Sequence, residues 1–317
     1  MPDMAMVFMG TSDFACPALL ALARHPSIHI RGVVTQPDRP GGRKLKPQPS
    51  PVKTLALSLG LPLFQPLKAK DPAFVDALRA LQPDLMVVAA YGQILPQSLL
   101  DVPRHGCLNI HGSLLPKYRG AAPIQWAMLN GETETGVTIM KMDAGLDTGD
   151  MVIWRATPIR ETETGQMLHD RLARMGADLM QEVLPAYVAG RQKAVPQPGE
   201  GASYARKITR EDGRVDWGRT ADRIALCMRA LSPWPGAHTL WPGQDTARRL
   251  KIWKARVVAE ETGEPPGRIV QPAPGRLQVV CGTGMLEIEQ LQLEGGKRLP
   301  ASAFLAGQHL TGGETLG

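Results

Sequence analysis

The chain has 317 residues, 43% hydrophobic and 21% charged, with 36 Lys and Arg against 30 Asp and Glu for a net charge of +6. That balance describes a folded chain with room for two cores, and no apolar run approaches the roughly 20 residues that span a bilayer. Four widely spaced cysteines with no C-x-x-C pair argue against a disulfide framework or a zinc site, and for a reducing cytosol.

The start, Met1-Pro-Asp-Met-Ala-Met, lacks the basic residue of a secretory signal and reads instead as the approach to a first core strand, Met4 to Met9. Gly10-Thr-Ser-Asp then turns into a helix from about Phe14 to Arg24, and Ile28 to Thr35 is the next strand. A strand–helix–strand opening predicts a parallel sheet with right-handed crossovers. Gly10 lacks the further glycines of a dinucleotide fingerprint. Gln36 to Lys53 is rich in Pro and Gly and sets Arg39, Arg43, Lys44, Lys46 and Lys53 against Asp38 alone. It reads either as a solvated loop or as one that closes over a phosphate-bearing partner, with Arg43 beside Gly41-Gly42 as its best contact.

Ser50-Pro51 starts a helix ending at Gly60, Leu61 to Phe64 is a short strand, and Asp71-Pro72 caps a further helix. Asp84 to Tyr91 is apolar on both faces, as a central parallel strand is, and Gly92 to Pro96 leaves its end. Cys107 to His111 alternates, so Asn109 and His111 project from one strand face, with Ser113 continuing it. A second apolar run, Gly136 to Met140, ends in the glycine-punctuated loop that carries Asp143, Asp147 and Asp150. Met151 to Ile159 is a strand, Thr164 to Val188 a long helix, and Arg191 to Gly201 a polar Gly/Pro linker. Beyond it, Thr220 to Leu231 is a helix. Short strands at Leu250–Val258, Gly267–Val270, Leu277–Cys281 and Met285–Leu291 predict a small OB-like β-barrel.

An amide, an imidazole and a carboxylate that can converge at strand ends suit carbonyl chemistry. Asn109 can donate to a carbonyl oxygen becoming tetrahedral, His111 can add charge and move a proton, and Asp147 can accept from the imidazole or from an attacking amine. No cysteine, and no serine with an evident base, offers a covalent nucleophile, so direct transfer is expected, and no metal.

Several segments, in order and at the right spacing, resemble the methionyl-tRNA formyltransferases. They are Gly10-Thr11 with Asp13-Phe14, Thr35-Gln-Pro-Asp-Arg-Pro40, Pro49-Ser-Pro-Val-Lys53, Val87-Val-Ala-Ala-Tyr-Gly92, His111-Gly-Ser-Leu-Leu-Pro116, Gly136-Val-Thr-Ile-Met140, Asp143-Ala-Gly-Leu-Asp-Thr-Gly-Asp150 and Tyr204-Ala-Arg-Lys207. Ser12 departs from the proline common in that family. The resemblance implies a Rossmann-like catalytic domain over residues 1–190, a linker over 191–205 and an OB-like tRNA-binding domain over 206–317. It implies Asn109, His111 and Asp147 as the catalytic trio. It further implies 10-formyltetrahydrofolate as formyl donor, held by Ser113, Leu114, Leu115 and Pro116 and walled by Tyr91, Gly92, Ile94 and Leu95. The acceptor it implies is methionyl initiator tRNA, contacted by Arg43 and Lys207, in the cytoplasm. The trio and its segment alone leave open other formyl acceptors, such as sugar nucleotides or glycinamide ribonucleotide, or hydrolysis of the donor. The basic loop and the barrel are what favour tRNA.

Overall fold

The computed structural model describes residues 3–41, 46–242, 248–259, 262–271, 273–307 and 314–317. Arg43 lies outside the described residues. The chain divides into two compact units. One comprises Met1–Ile124, Thr133–Ile159 and Leu168–Arg206; the other comprises Gln125–Glu132, Arg160–Met167 and Lys207–Gly317.

The chain begins with β1 (Met4–Gly10), a 3-10 turn at Asp13–Ala15, α1 (Cys16–Ala23) and β2 (Ile28–Val34). The hairpin strands β3 (Arg39–Gly41) and β4 (Lys46–Gln48) precede α2 (Pro51–Ser58), β5 (Leu63–Phe64), α3 (Pro72–Ala80) and β6 (Leu85–Ala89). Then come the single turn α4 (Gln97–Leu100), β7 (Cys107–His111), β8 (Arg119–Gly120), α5 (Pro123–Leu129), β9 (Glu134–Lys141), β10 (Met151–Pro158), α6 (Gly165–Val188) and β11 (Tyr204–Ala205). The helix starts follow their sequence signals. Ser50 accepts from Lys53 N ahead of α2, and Asp71 accepts from Ala73 N ahead of α3, with Pro at the first helical position of each.

The seven strands of the main sheet run β10-β9-β7-β6-β1-β2-β5. Five of them, from β7 to β5, are parallel, as the opening pattern predicts. The last two are not: β9 pairs antiparallel with β7 and β10 antiparallel with β9. A strand buried on both faces carries no sign of its direction, so β9 reads like a parallel core strand. The short loop between β9 and β10 permits only a reversal, since a parallel return needs a crossover of a dozen residues or more. Val88 of β6 sits opposite Asn109 of β7, and Asn109 opposite Met140 of β9, so Asn109 is flanked by the last-but-one residue of each neighbouring strand.

The expected structureless loop over Gln36–Lys53 has a tied base. Lys53 Nζ bonds Asp38 Oδ2 at 2.7 Å and Gln65 Oε1 at 2.9 Å, while Gln65 Nε2 donates to Gln36 O at 3.0 Å.

In the second unit α7 (Ala221–Ala230), capped by Thr220, packs on a six-stranded sheet. Its strands are β12 (His238–Trp241), β13 (Arg248–Val258), β14 (Ile269–Val270), β15 (Leu277–Val280), β16 (Met285–Leu293) and β17 (Leu299–Pro300), followed by α8 (Ala301–Ala306). Where a small OB-like β-barrel is expected, the described residues form a curled antiparallel sheet in the order β12-β13-β16-β15-β14, with β17 on β16. Register shifts at Ile252/Lys254 and Lys254/Ala255 bend β13, which is how a long strand curls over a core. That core contains Trp217, Leu250, Leu277, Val279, Leu286 and Phe304. β12, β17 and α8 are not legible in the sequence; each is short and has Pro or Gly within or beside it.

Candidate functional site

Strand alternation puts Asn109 and His111 on one face of β7, 8% and 5% exposed. The loop after β9 returns Asp147 to them. Its Oδ1 lies 3.5 Å from Asn109 Nδ2, at the outer limit of a hydrogen bond, and its Oδ2 lies 3.7 Å from His111 Nδ1. The structure therefore brings the three expected chemical groups together.

Backbone partners fix each of them. His111 Nε2 stands 2.9 Å from Tyr118 O, and since a carbonyl only accepts, this nitrogen carries its hydrogen. The neutral ring then turns the lone pair of Nδ1 toward the Asp147 carboxylate, and protonation at Nδ1 converts that contact to an attraction. Asp147 Oδ2 also accepts from Gly120 N at 2.8 Å. Asp147 has φ of 53°, a left-handed conformation that costs on the order of 1–3 kcal/mol in a non-glycine residue and persists only where its surroundings enforce it.

Two glycines make the enforcement possible. Gly120 has φ of 114°, and a Cβ there would lie 2.7 Å from Ala205 O. At Gly149 a Cβ would overlap the carbonyl oxygen of Lys141. Both positions require the backbone itself to approach closely.

The stretch that composition marks as a linker is bonded back onto this loop. Gln197 Nε2 donates to Asp147 O and to Gly149 O, each at 2.8 Å, and its Oε1 accepts from Arg119 Nε at 3.1 Å and Nη2 at 2.6 Å. Ser203 Oγ accepts from Tyr118 N at 2.9 Å, and β11 pairs with β8. Sequence reading missed Gln197 altogether. The one local hint is its place between Pro196 and Pro198, which restricts a residue otherwise set in a featureless polar run.

The residues expected to face a folate divide by exposure. Ser113 is fully buried: its hydroxyl donates to Lys117 O at 2.6 Å and its carbonyl accepts from Thr138 Oγ1 at 2.8 Å. Leu115 packs with Met140 and Met151, Pro116 is buried, and Leu114 is half-buried. Tyr91 and Leu95 belong to the core with Met9, Phe74 and Leu99. The Tyr91 hydroxyl is buried with no hydrogen-bond partner among the described residues, and burial pushes the phenol up to about 12. The Tyr91 carbonyl accepts from Thr11 Oγ1 and Gln36 Nε2, both at 2.8 Å. What the β6 end presents outward is Gly92 and Ile94, the latter 76% exposed, and Leu146 beside Asp147 is 51% exposed. Lys207 is exposed and begins the C-terminal segment of the second unit. That unit has a separate cavity of about 210 Å³ lined by Trp126, Leu129, Arg214, Ile224 and Cys227, and none of the expected site residues lines it.

Comparison with known proteins places this geometry in context. The formyl transferase family matches residues 4–184, and the formyl transferase C-terminal domain matches residues 207–309. A methionyl-tRNA formyltransferase of Geobacter sulfurreducens is 50% identical, over 100% of this chain and 98% of that protein. One of Pelotomaculum thermopropionicum is 47% identical over 99% of each. Among solved structures, HypX of Aquifex aeolicus in complex with tetrahydrofolic acid superposes with a TM-score of 0.62 at 19% identity, over 95% of this chain and 47% of that one. An N-formyltransferase of Helicobacter canadensis, in complex with folinic acid and dTDP-3-aminofucose, gives a TM-score of 0.65 at 15% identity, over 94% of this chain and 100% of that one. At such identities these two structures share the fold alone, and this chain spans about half of the HypX chain. The full-length relatives and the family matches decide the question: the chain belongs to the methionyl-tRNA formyltransferase family.

Proposed function

We propose that this chain transfers the formyl group of 10-formyltetrahydrofolate to the α-amine of methionine esterified to initiator tRNA. The observation that carries the mechanism is the meeting of Asn109 and His111 of β7 with Asp147 of the loop after β9. The α-amine attacks the formyl carbon. Asn109 Nδ2 donates to the oxygen on which negative charge develops, and His111, protonated at Nδ1, adds its positive charge. Asp147 accepts the proton that the amine must lose as its new N–C bond forms. The bond from the formyl carbon to the folate nitrogen then breaks, and that nitrogen takes up the proton that Asp147 accepted. Burial of Asn109 and His111 makes these fixed dipoles stronger than they are in water.

Ile94, Leu114 and Leu146 are the side chains with surface to offer a flat pterin, and the backbone of Gly92 and of Ser113–Pro116 supplies polar groups beside them. Residues 1–190 form the catalytic region, 191–205 connect, and 206–317 bind the tRNA through an OB-like variant of the curled sheet, with Lys207 and the Arg43 loop as contacts. Such contacts are largely to phosphates and weaken with salt. The cytoplasm, where initiator tRNA is charged, is the site of action. No helix among the described residues is long and apolar enough to cross a membrane.

The test is formyl transfer by the purified protein to methionyl initiator tRNA, compared with free methionine, an amino-sugar nucleotide and water. Transfer to the tRNA alone supports the reading. Equal transfer to the sugar nucleotide, or hydrolysis only, overturns it.

A further inference from the structure

We infer that Gln197 is a positioning residue for this reaction, acting through the backbone of Asp147; the inference rests on the function proposed above. Gln197 uses the full capacity of its amide. The two hydrogens of Nε2 go to the carbonyls of Asp147 and Gly149, and Oε1 takes two bonds from Arg119. A surface glutamine with four good bonds to groups about 50 and 78 residues away is held for a reason beyond solubility.

The reason lies in what those bonds fix. Asp147 occupies a left-handed conformation, and a residue so placed relaxes unless its neighbours hold it. Its carboxylate is held by Gly120 N, and its own backbone is held by Gln197. Gln197 is in turn held by Arg119, the residue beside Gly120. Carboxylate and backbone are thus referred to one short strand, β8, and the distances from Asp147 to Asn109 and His111 follow from it.

Glutamine is also the side chain the geometry selects. Glutamate would turn an oxygen toward two carbonyl oxygens, and asparagine is one methylene short. The flanking prolines, Pro196 and Pro198, confine the backbone before the side chain makes any bond, which lowers the entropy lost on docking.

The experiment is steady-state formylation by Gln197→Ala, Gln197→Glu, Asp147→Ala and the double variant Asp147→Ala/Gln197→Ala, with thermal unfolding of each. Gln197→Ala should lower kcat about 10- to 100-fold, the scale expected when a reacting group is misplaced by about an ångström. KM for donor and for tRNA should stay within about twofold. Gln197→Glu keeps the bonds from Arg119 and the side-chain length, so it should still fold, at a somewhat lower melting temperature because it loses the two bonds to carbonyls, and lose kcat. It carries the test if the alanine variant does not fold. In the Asp147→Ala background, Gln197→Ala should cost nothing further, because its effect runs through Asp147. A kcat within twofold of the parent in a folded Gln197 variant overturns the inference, and so does a loss that multiplies with that of Asp147→Ala. If Asp147→Ala is impaired and the Gln197 variants are not, only this inference falls. An undiminished Asp147→Ala rejects the function on which it stands.

Discussion

The two units use charge in opposite ways. In the first, the site has a buried imidazole and a half-buried carboxylate, and almost every bond that holds them comes from neutral backbone or amide groups. In the second, ionised groups meet on the outer surface of the curled sheet. Glu287 takes bonds from Arg256 and Arg276, which hold its carboxyl down at about 2, first through the hydrogen bond from Arg276. Nearby on β13, Lys251 Nζ lies 3.9 Å from the centre of the Trp253 ring, and Arg298 Cζ lies 4.8 Å from it. Neutral dipoles that cannot reorganise suit a transition state; exposed cations that solvent and salt can reach suit a polyanion.

The largest test of that contrast is within the trio. Replacing Asn109, His111 or Asp147 by alanine should each lower kcat about 10²–10³-fold while leaving tRNA affinity within a few-fold, as read by single-turnover formylation beside a filter-binding assay. Near-normal turnover in any of them would remove that residue from the chemistry. Next in size is Gly120→Ala. Its positive φ and the Ala205 carbonyl 2.7 Å away predict a loss of about 2–3 kcal/mol, a fall in melting temperature of several degrees, together with reduced kcat. An unchanged melting temperature would mean that β8 and β11 separate at little cost.

The second unit should answer to salt instead. Raising the salt from about 50 to 200 mM should raise the KM for tRNA at least tenfold with kcat at saturation preserved, and Lys251→Ala should move KM in the same direction by a smaller factor. A fall in kcat from either change would blur the division between the units.

The smallest effect is a pH-dependent one in the first unit. His169 Nε2 lies 3.4 Å from Asp13 Oδ1 and Nδ1 lies 3.0 Å from Asp170 Oδ1, and only the protonated ring donates to both. Burial acts to lower His169, but the bonds to Asp13 and Asp170 outweigh it and its value is raised; the bond from His169 lowers Asp13. The stabilisation from His169 is full below its unfolded value of about 6.5 and is lost as pH rises through the raised folded value. That from Asp13 is present above its unfolded value near 3.9 and is lost as pH falls. His169→Asn should therefore cost most between about pH 4 and 6.5 and little at pH 9, by less than about 1 kcal/mol because Asp13 is largely exposed. Urea titrations at three pH values measure it, and a cost independent of pH would assign His169 to packing against Phe14.

Much of the site was legible because it is local and periodic. Asn109 and His111 are two residues apart on a strand, and Asp147 sits among glycines after a buried run, so alternation and turn chemistry suffice to propose them. The direction of β9 was not legible, because burial on both faces erases the alternation that distinguishes edge from centre. Gln197 was not legible for a different reason: all its partners are distant in sequence, and its composition is that of any linker. Tyr91 shows the converse. It stands at the strand end where a ligand wall is expected, yet its ring is committed to the core, since nothing local says on which side of Gly92 the chain turns outward.

The bonds from residues 195–205 have a consequence for the order of assembly. β1 to β10 can pair as soon as they leave the ribosome, with Asn109 and His111 already side by side. The Asp147 loop acquires its tether only when Gln197 emerges, 50 residues later, and β8 its partner strand later still. A nascent chain that has formed its sheet is thus still an incomplete enzyme, and the last part of the first unit to be synthesised is the part that sets its carboxylate in place.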